Sequence, residues 1–75
     1  MQTATANMLE VAYAASALLT RLESYDFGAV SRHELTPIER EGAEALEKAG
    51  LVVIRKTSLR HYSVIETSKC HLWQD

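Results

Sequence analysis

One helix of this chain is marked at both of its ends, and the residues after it change their period. Thr36 and Glu39 have the spacing of a capping box, and Pro37 stands at the first helical position, where its missing N–H costs nothing. At the other end Gly50 can adopt the left-handed conformation that closes a helix. These signals predict a helix over residues 37–49, with one apolar side and one exposed, mostly acidic side.

The residues after this helix predict a β-hairpin over residues 51–66. LVVIRK is rich in β-branched side chains, HYSVIE alternates, and the four residues TSLR between them form the predicted loop. If Lys56 pairs with His61, the alternation of strands fixes which side chains share a face. The side chains expected on one face are then Val52, Ile54 and Ile65.

Both faces of such a hairpin are partly apolar, which a lone hairpin cannot satisfy. One face is expected to meet the helices, and the other needs the C-terminal tail (residues 67–75), another strand or another chain. Within the tail, we expect Leu72 and Trp73 to cover Val52, Ile54 and Ile65. The alternative is that these two side chains anchor a partner.

A long first helix is predicted over about residues 7–25. Asn7 and Glu10 form a possible capping box, and a start at Thr3 or Thr5 is the competing interpretation. An apolar stripe follows it in steps of three and four residues. The stripe is either the core face of the helix or a helix-to-helix dimer interface. Its members are Met8, Val11, Ala15, Leu18, Leu22 and Tyr25.

Between the two helices the pattern S-R-H-E predicts a short helical turn over residues 31–35, with Ser31 and Glu34 as its capping box. A turn at residues 26–29 precedes it, since Gly28 can adopt positive φ. The 75 residues are expected to form a single α+β domain, residues 1–75, from a long N-terminal helix, a helical turn, a capped helix and a C-terminal β-hairpin.

Composition and spacing argue against several classes of protein. No apolar run approaches a membrane span, and no signal peptide is recognisable, so we expect a cytoplasmic protein that does not bind membranes. One cysteine, Cys70, excludes an internal disulfide. His33, His61, Cys70 and His71 match no compact zinc pattern, and glycine-rich phosphate loops are absent. We therefore expect no enzyme activity, catalytic residues, metal, cofactor or small-molecule substrate.

The charge is unevenly distributed along the chain. Residues 1–50 carry eight acidic and four basic side chains, a net charge of −4, whereas residues 51–75 carry two acidic and four basic ones, a net charge of +2. Such a dipolar surface favours oriented association with a charged partner.

The string SRHELTPIEREGAEALEKAGLVVIRKTSLRHYSVIE, residues 31–66, resembles the core of winged helix-turn-helix domains. In that family a short helix ending in EL leads to a helix ending in a phrase like LEKAGLV, and the next two strands form a basic wing. The resemblance implies a small winged-helix-like fold with an abbreviated second helix. It also implies that the helix 37–49 enters the major groove of double-stranded DNA and that the wing, residues 56–61, touches phosphates.

These observations lead to two main functional hypotheses. The first is a DNA-binding transcriptional regulator acting as a homodimer through its first helix. The second is a non-enzymatic inhibitor of phage type, directed for example at CRISPR or transcription machinery, because an acidic helix opposes binding to phosphates. It would dock on an acidic or basic protein surface. The candidate contact residues are Arg55, Lys56, Arg60 and His61 of the wing and Arg32, Arg40, Glu44 and Glu47 of the helices. A subunit of an obligate assembly is a third possibility.

Overall fold

The computed structural model describes residues 8–73 and confirms an α+β fold. Two α-helices, two short 3-10 segments and one three-stranded antiparallel sheet make up this part of the chain. In chain order the elements are α1 (Met8–Ser24), β1 (Ala29–Ser31), a first 3-10 turn (Arg32–Glu34), α2 (Pro37–Lys48), β2 (Val52–Lys56), β3 (Tyr62–Glu66) and a C-terminal 3-10 segment (Thr67–Trp73). The predicted cap at Asn7 lies outside the described residues, as do the competing starts at Thr3 and Thr5.

The end signals of α2 act as the sequence predicts. The Thr36 hydroxyl accepts a hydrogen bond from the Glu39 N–H at 3.3 Å, and the Glu39 carboxylate accepts one from the Thr36 N–H at 2.8 Å. At the other end Gly50 has φ +80°, and its N–H donates to the Glu47 carbonyl at 3.0 Å. The Leu51 N–H donates to the Leu46 carbonyl at 2.9 Å. This pair of bonds is a Schellman motif, which caps the last carbonyls of the helix.

The predicted helical turn is confirmed as the 3-10 turn Arg32–Glu34. The Glu34 carboxylate accepts a hydrogen bond from the Ser31 N–H at 3.0 Å, as in a capping box. Leu35 is extended, with ψ +138°, and its side chain is buried. The short turn therefore delivers the chain directly to the cap of α2.

A third strand, β1, is not predicted by the sequence. Its residues Ala29, Val30 and Ser31 pair antiparallel with Ile65, Val64 and Ser63 of β3. The sheet order is β1-β3-β2, so the strand that is last in sequence lies in the middle. Gly28, with φ +61°, turns the chain into β1 as expected. This element order and sheet order are compatible with a winged-helix layout.

The predicted register of the hairpin is wrong by one residue. Lys56 pairs with Tyr62 instead of His61, because the N–H groups of Thr57 and Ser58 both donate to the His61 carbonyl and close a five-residue loop. A shift of one residue moves one strand's side chains to the opposite face of the sheet. The side chains that share the helix-facing side are consequently Val52, Ile54, Tyr62 and Val64.

The core between the helices and this side of the sheet is aliphatic. Its buried members are Ala15, Leu18, Leu22, Val30, Leu35, Ala43, Leu46, Val52 and Val64. The two α-helices lie close together at Gly42, where a Cβ added to the glycine would lie 2.8 Å from the backbone nitrogen of Ala15. None of the buried core side chains in residues 8–73 is aromatic.

The C-terminal 3-10 segment lies on the opposite face of the sheet, where the fully covered Ile65 points. The Arg55 guanidinium on that face donates to the Trp73 carbonyl, and the Trp73 indole N–H donates to the Phe27 carbonyl at 2.8 Å. The expectation that the tail covers Val52 and Ile54 is therefore wrong, because the register turns both toward the helices. The segment lies on the Ile65 face alone.

Candidate functional site

The second half of α2 and the hairpin enclose a cleft of about 330 Å³, which we call the helix–hairpin cleft. Its lining consists of Glu44, Glu47, Lys48, Ile54, Lys56 and Tyr62. Steps of three and four residues place the α2 members on one side of that helix. On the hairpin, alternation places Ile54 and Lys56 on one face, and Tyr62 is the cross-strand partner of Lys56. The cleft thus depends directly on the observed strand register.

The cleft carries charges of both signs around a partly apolar floor. Two carboxylates and two ammonium groups surround the half-buried Ile54 and Tyr62 side chains. Arg32, from the first 3-10 turn, adds a third cation: its guanidinium carbon lies 6.0 Å from the centre of the Tyr62 ring. That distance is at the limit of a cation–π interaction. Such a lining can hold a chain segment that carries both charge and apolar surface.

The structure separates the four residues predicted for the wing. Lys56 lines the cleft, whereas Arg60 and His61 are exposed in the loop at the hairpin tip. Arg55 lies on the opposite face of the sheet, where its guanidinium is bonded to the Trp73 carbonyl. Because neighbouring residues of a strand point to opposite faces, Arg55 and Lys56 do not belong to one basic cluster.

The four residues predicted on the helices also separate. Glu44 and Glu47 face Lys56 and Tyr62 across the cleft, and Arg32 lies against the same tyrosine ring. Arg40 is half-buried outside the lining of the cleft, and its Nε has no hydrogen-bond partner among residues 8–73. Two of these four side chains therefore line the cleft, and Arg32 lies near it against Tyr62.

The apolar stripe of α1 packs largely inside the chain itself. Ala15, Leu18 and Leu22 are all buried in the core, and Val11 is half-buried. A dimer interface built on these positions is not available, because the same side chains already contact the rest of the chain. Met8 and Tyr25, at the two ends of the stripe, are exposed.

No family model matches the sequence, and neither a curated protein nor a solved structure is detectably similar to it.

Residues 8–73 contain no group of three His, Cys, Asp or Glu side chains placed to hold a metal ion. Cys70 is a half-buried free thiol. Among these residues, neither α-helix combines the length and the apolar character that a membrane crossing requires.

Sequence reasoning misses the floor of the cleft. It places Ile54 on the face opposite Val64, and it does not single out Lys48. The usable signal is the alternation of HYSVIE, which places Tyr62 and Val64 on one face. The alternation alone does not determine the strand register, and the register is what brings Ile54 of β2 to the same face.

Proposed function

We propose that this chain is a small, non-enzymatic binding module with a winged-helix-like layout, and that its helix–hairpin cleft binds a segment of another protein. The layout is supported by the element order, with a short strand between the first helix and the helical turn and a hairpin after α2. The sheet order β1-β3-β2 agrees with it. Because a fold does not determine a ligand, the choice of partner depends on the cleft.

The observation that carries the protein hypothesis is the position of Glu44 and Glu47. They lie on the side of α2 that borders the hairpin, next to Lys56. Placed against a duplex, these carboxylates would meet phosphates and oppose the counterion release that drives binding to DNA. A peptide can instead offer a cation to the carboxylates and an apolar group to Ile54 and Tyr62. We infer that the partner presents a basic side chain flanked by apolar ones.

A random peptide array probed with the fluorescently labelled protein tests this proposal. Bound peptides are expected to be enriched in Lys or Arg next to aliphatic or aromatic residues. The double variant Glu44→Lys/Glu47→Lys is expected to bind them about tenfold more weakly, which corresponds to about 1.4 kcal/mol. Titration of purified peptides by fluorescence anisotropy measures that ratio.

The matched control is the double variant Glu23→Lys/Asp26→Lys, which changes the net charge equally at exposed positions away from the cleft. Its affinity for the same peptides is expected to stay within a factor of two of the starting protein. Equal losses of peptide affinity in both double variants would show that peptide binding does not depend on the cleft. Enrichment of acidic peptides would contradict the inferred polarity of the partner.

Duplex DNA is the second candidate ligand, and the exposed hairpin tip favours it. Arg60 and His61 are exposed there, and Lys56 and Arg32 lie on the helix-facing side nearby. A regulator using them would bind duplex with an affinity that falls steeply between about 50 and 200 mM salt.

Fluorescence anisotropy of a labelled random duplex, measured at both salt concentrations, separates the two candidates. Because Glu44 and Glu47 border the cleft, we expect no binding below about 10 µM protein even at low salt, a concentration inside the usual range of non-specific dissociation constants. Tight, salt-sensitive binding that is lost in the Lys56→Glu/Arg60→Glu variant would transfer the proposed function from a protein ligand to DNA.

A further inference from the structure

The side of α1 that faces away from the core is also apolar. A groove of about 440 Å³, which we call the α1 groove, runs between this helix and the start of α2. Its lining consists of Leu9, Glu10, Tyr13, Ala14, Ala17 and Ile38. Leu9 and Tyr13 are 70% and 76% exposed, although the opposite side of α1 already fills the core. A helix that is apolar on two sides usually has two neighbours.

We propose that a second copy of this chain covers the α1 groove, through antiparallel packing of two α1 helices about a two-fold axis. A two-fold interface requires one patch that complements itself. This patch has both parts: Tyr13 projects from it, and Ala14 and Ala17 leave a depression beside Ile38. With the axis at the level of residue 15, Tyr13 of each copy lies level with Ala17 of the other. Each ring can then enter the depression of its partner.

The charges along this side of α1 favour the same arrangement. Glu10 lies near its N-terminal end, and Arg21 lies near its C-terminal end, three turns of helix away. An antiparallel pair centred at residue 15 brings Glu10 of one copy within one residue of the level of Arg21 in the other. A parallel pair would instead align like charges. Opposite charges at opposite ends therefore select a second, antiparallel copy.

Arg21 is held in position for such a contact. Its Nε donates to the Tyr25 hydroxyl at 2.9 Å, and its Nη1 lies 3.4 Å from a Glu39 carboxylate oxygen. The hydrogen bond to Tyr25 raises the pKa of Arg21 above its ordinary value. These contacts link the end of α1 to the start of α2 beside the α1 groove.

The size of the α1 groove sets the expected strength of the dimer. The 17-residue helix is about 25 Å long and about 10 Å wide. One face of it is smaller than the roughly 800 Å² per partner of a standard protein interface. We therefore expect a dissociation constant in the micromolar range, on the order of 10 µM, as for weak and transient interfaces. Such a dimer does not depend on the ligand proposed for the cleft.

Sedimentation equilibrium of the full chain tests the proposal. Protein concentrations from about 1 to 300 µM lie on both sides of the dissociation constant expected for a weak interface. The mass is expected to rise from the 8.4 kDa monomer toward twice that value. Tyr13→Glu places a charge in the apolar contact and is expected to weaken association at least tenfold. The control is Leu59→Glu, which adds the same charge at a fully exposed side chain of the hairpin tip. It should associate like the starting protein.

Three outcomes would overturn the proposal. A mass that stays at the monomer value throughout means that the α1 groove is left to another part of this chain or to a foreign partner. Unchanged association of Tyr13→Glu, with a folded circular dichroism spectrum, means that copies meet elsewhere. Equal weakening in Leu59→Glu means that added charge alone opposes association. Peptide binding by the cleft is expected to survive Tyr13→Glu, so this failure and that of the proposed function are distinguishable.

Discussion

Leu22→Ala is expected to cause the largest loss of stability among single truncations of α1. The Leu22 side chain has no exposed surface and lies in the aliphatic core with Leu18 and Val64. Truncating a buried leucine costs about 2–5 kcal/mol, because the transfer energy is lost and a cavity remains. For a domain of this size the expected fall in melting temperature is at least about 10 °C. Thermal and urea denaturation followed by circular dichroism measure it.

Leu59→Ala is the matched control, since it removes the same atoms from a side chain that is fully exposed at the hairpin tip. Its effect is expected to stay within about 0.5 kcal/mol, as for most surface substitutions. A melting temperature for Leu22→Ala close to that of Leu59→Ala would contradict the packing of α1 against the sheet. It would also reopen the side of α1 that carries Leu22 as a possible dimer interface.

The ends of α2 could be predicted because their signals are local. Thr36, Glu39 and Gly50 lie within a few residues of the backbone groups that they cap or close. The first 3-10 turn was predictable for the same reason, through Ser31 and Glu34. Local chemistry of this kind needs no knowledge of the tertiary structure.

The strand β1 could not be predicted because it is stabilised by a distant partner. Ala29, Val30 and Ser31 are too few to show an alternation, and they pair with residues more than 30 positions away. The hairpin register failed for a related reason. Its loop contains no glycine and is closed by two N–H groups on the His61 carbonyl, a pattern without a sequence signature.

The candidate site was only half predictable from the sequence. The acidic side of α2 follows from helical spacing, and the structure places Glu44 and Glu47 of that side at the cleft. The basic wing did not survive as a cluster, because strand alternation separates Arg55 from Lys56. The α1 groove was missed for another reason. In the sequence, Leu9 and Tyr13 extend the apolar surface of α1 beyond the predicted stripe, but only tertiary packing decides which side is buried.

Tertiary packing also determines how closely the two α-helices lie at Gly42, and the substitution Gly42→Ala tests this contact. In an ordinary helix interior this change would stabilise by about 1 kcal/mol, since alanine is the better helix former. Here the new Cβ would meet the Ala15 backbone, at 2.8 Å from its nitrogen and 3.0 Å from its Cα. Backbone atoms cannot rotate away, so α2 must move off α1. Overpacking usually costs about 1–3 kcal/mol, which outweighs the propensity gain, so we expect a net loss of up to about 2 kcal/mol, measured by urea denaturation.

Gly50→Ala separates this steric cause from the conformational one. A Cβ at Gly50 has no neighbour within 4 Å, but the residue adopts φ +80°, which costs a non-glycine residue about 1–2 kcal/mol. Gly50→Ala should lower the free energy of unfolding without moving the helices apart. Gly42→Ala should also change the helix–hairpin cleft and the α1 groove, because both are lined in part by α2. Weaker self-association and weaker peptide binding are therefore expected in Gly42→Ala alone. A gain in stability for Gly42→Ala would show that the helices do not cross at this short distance.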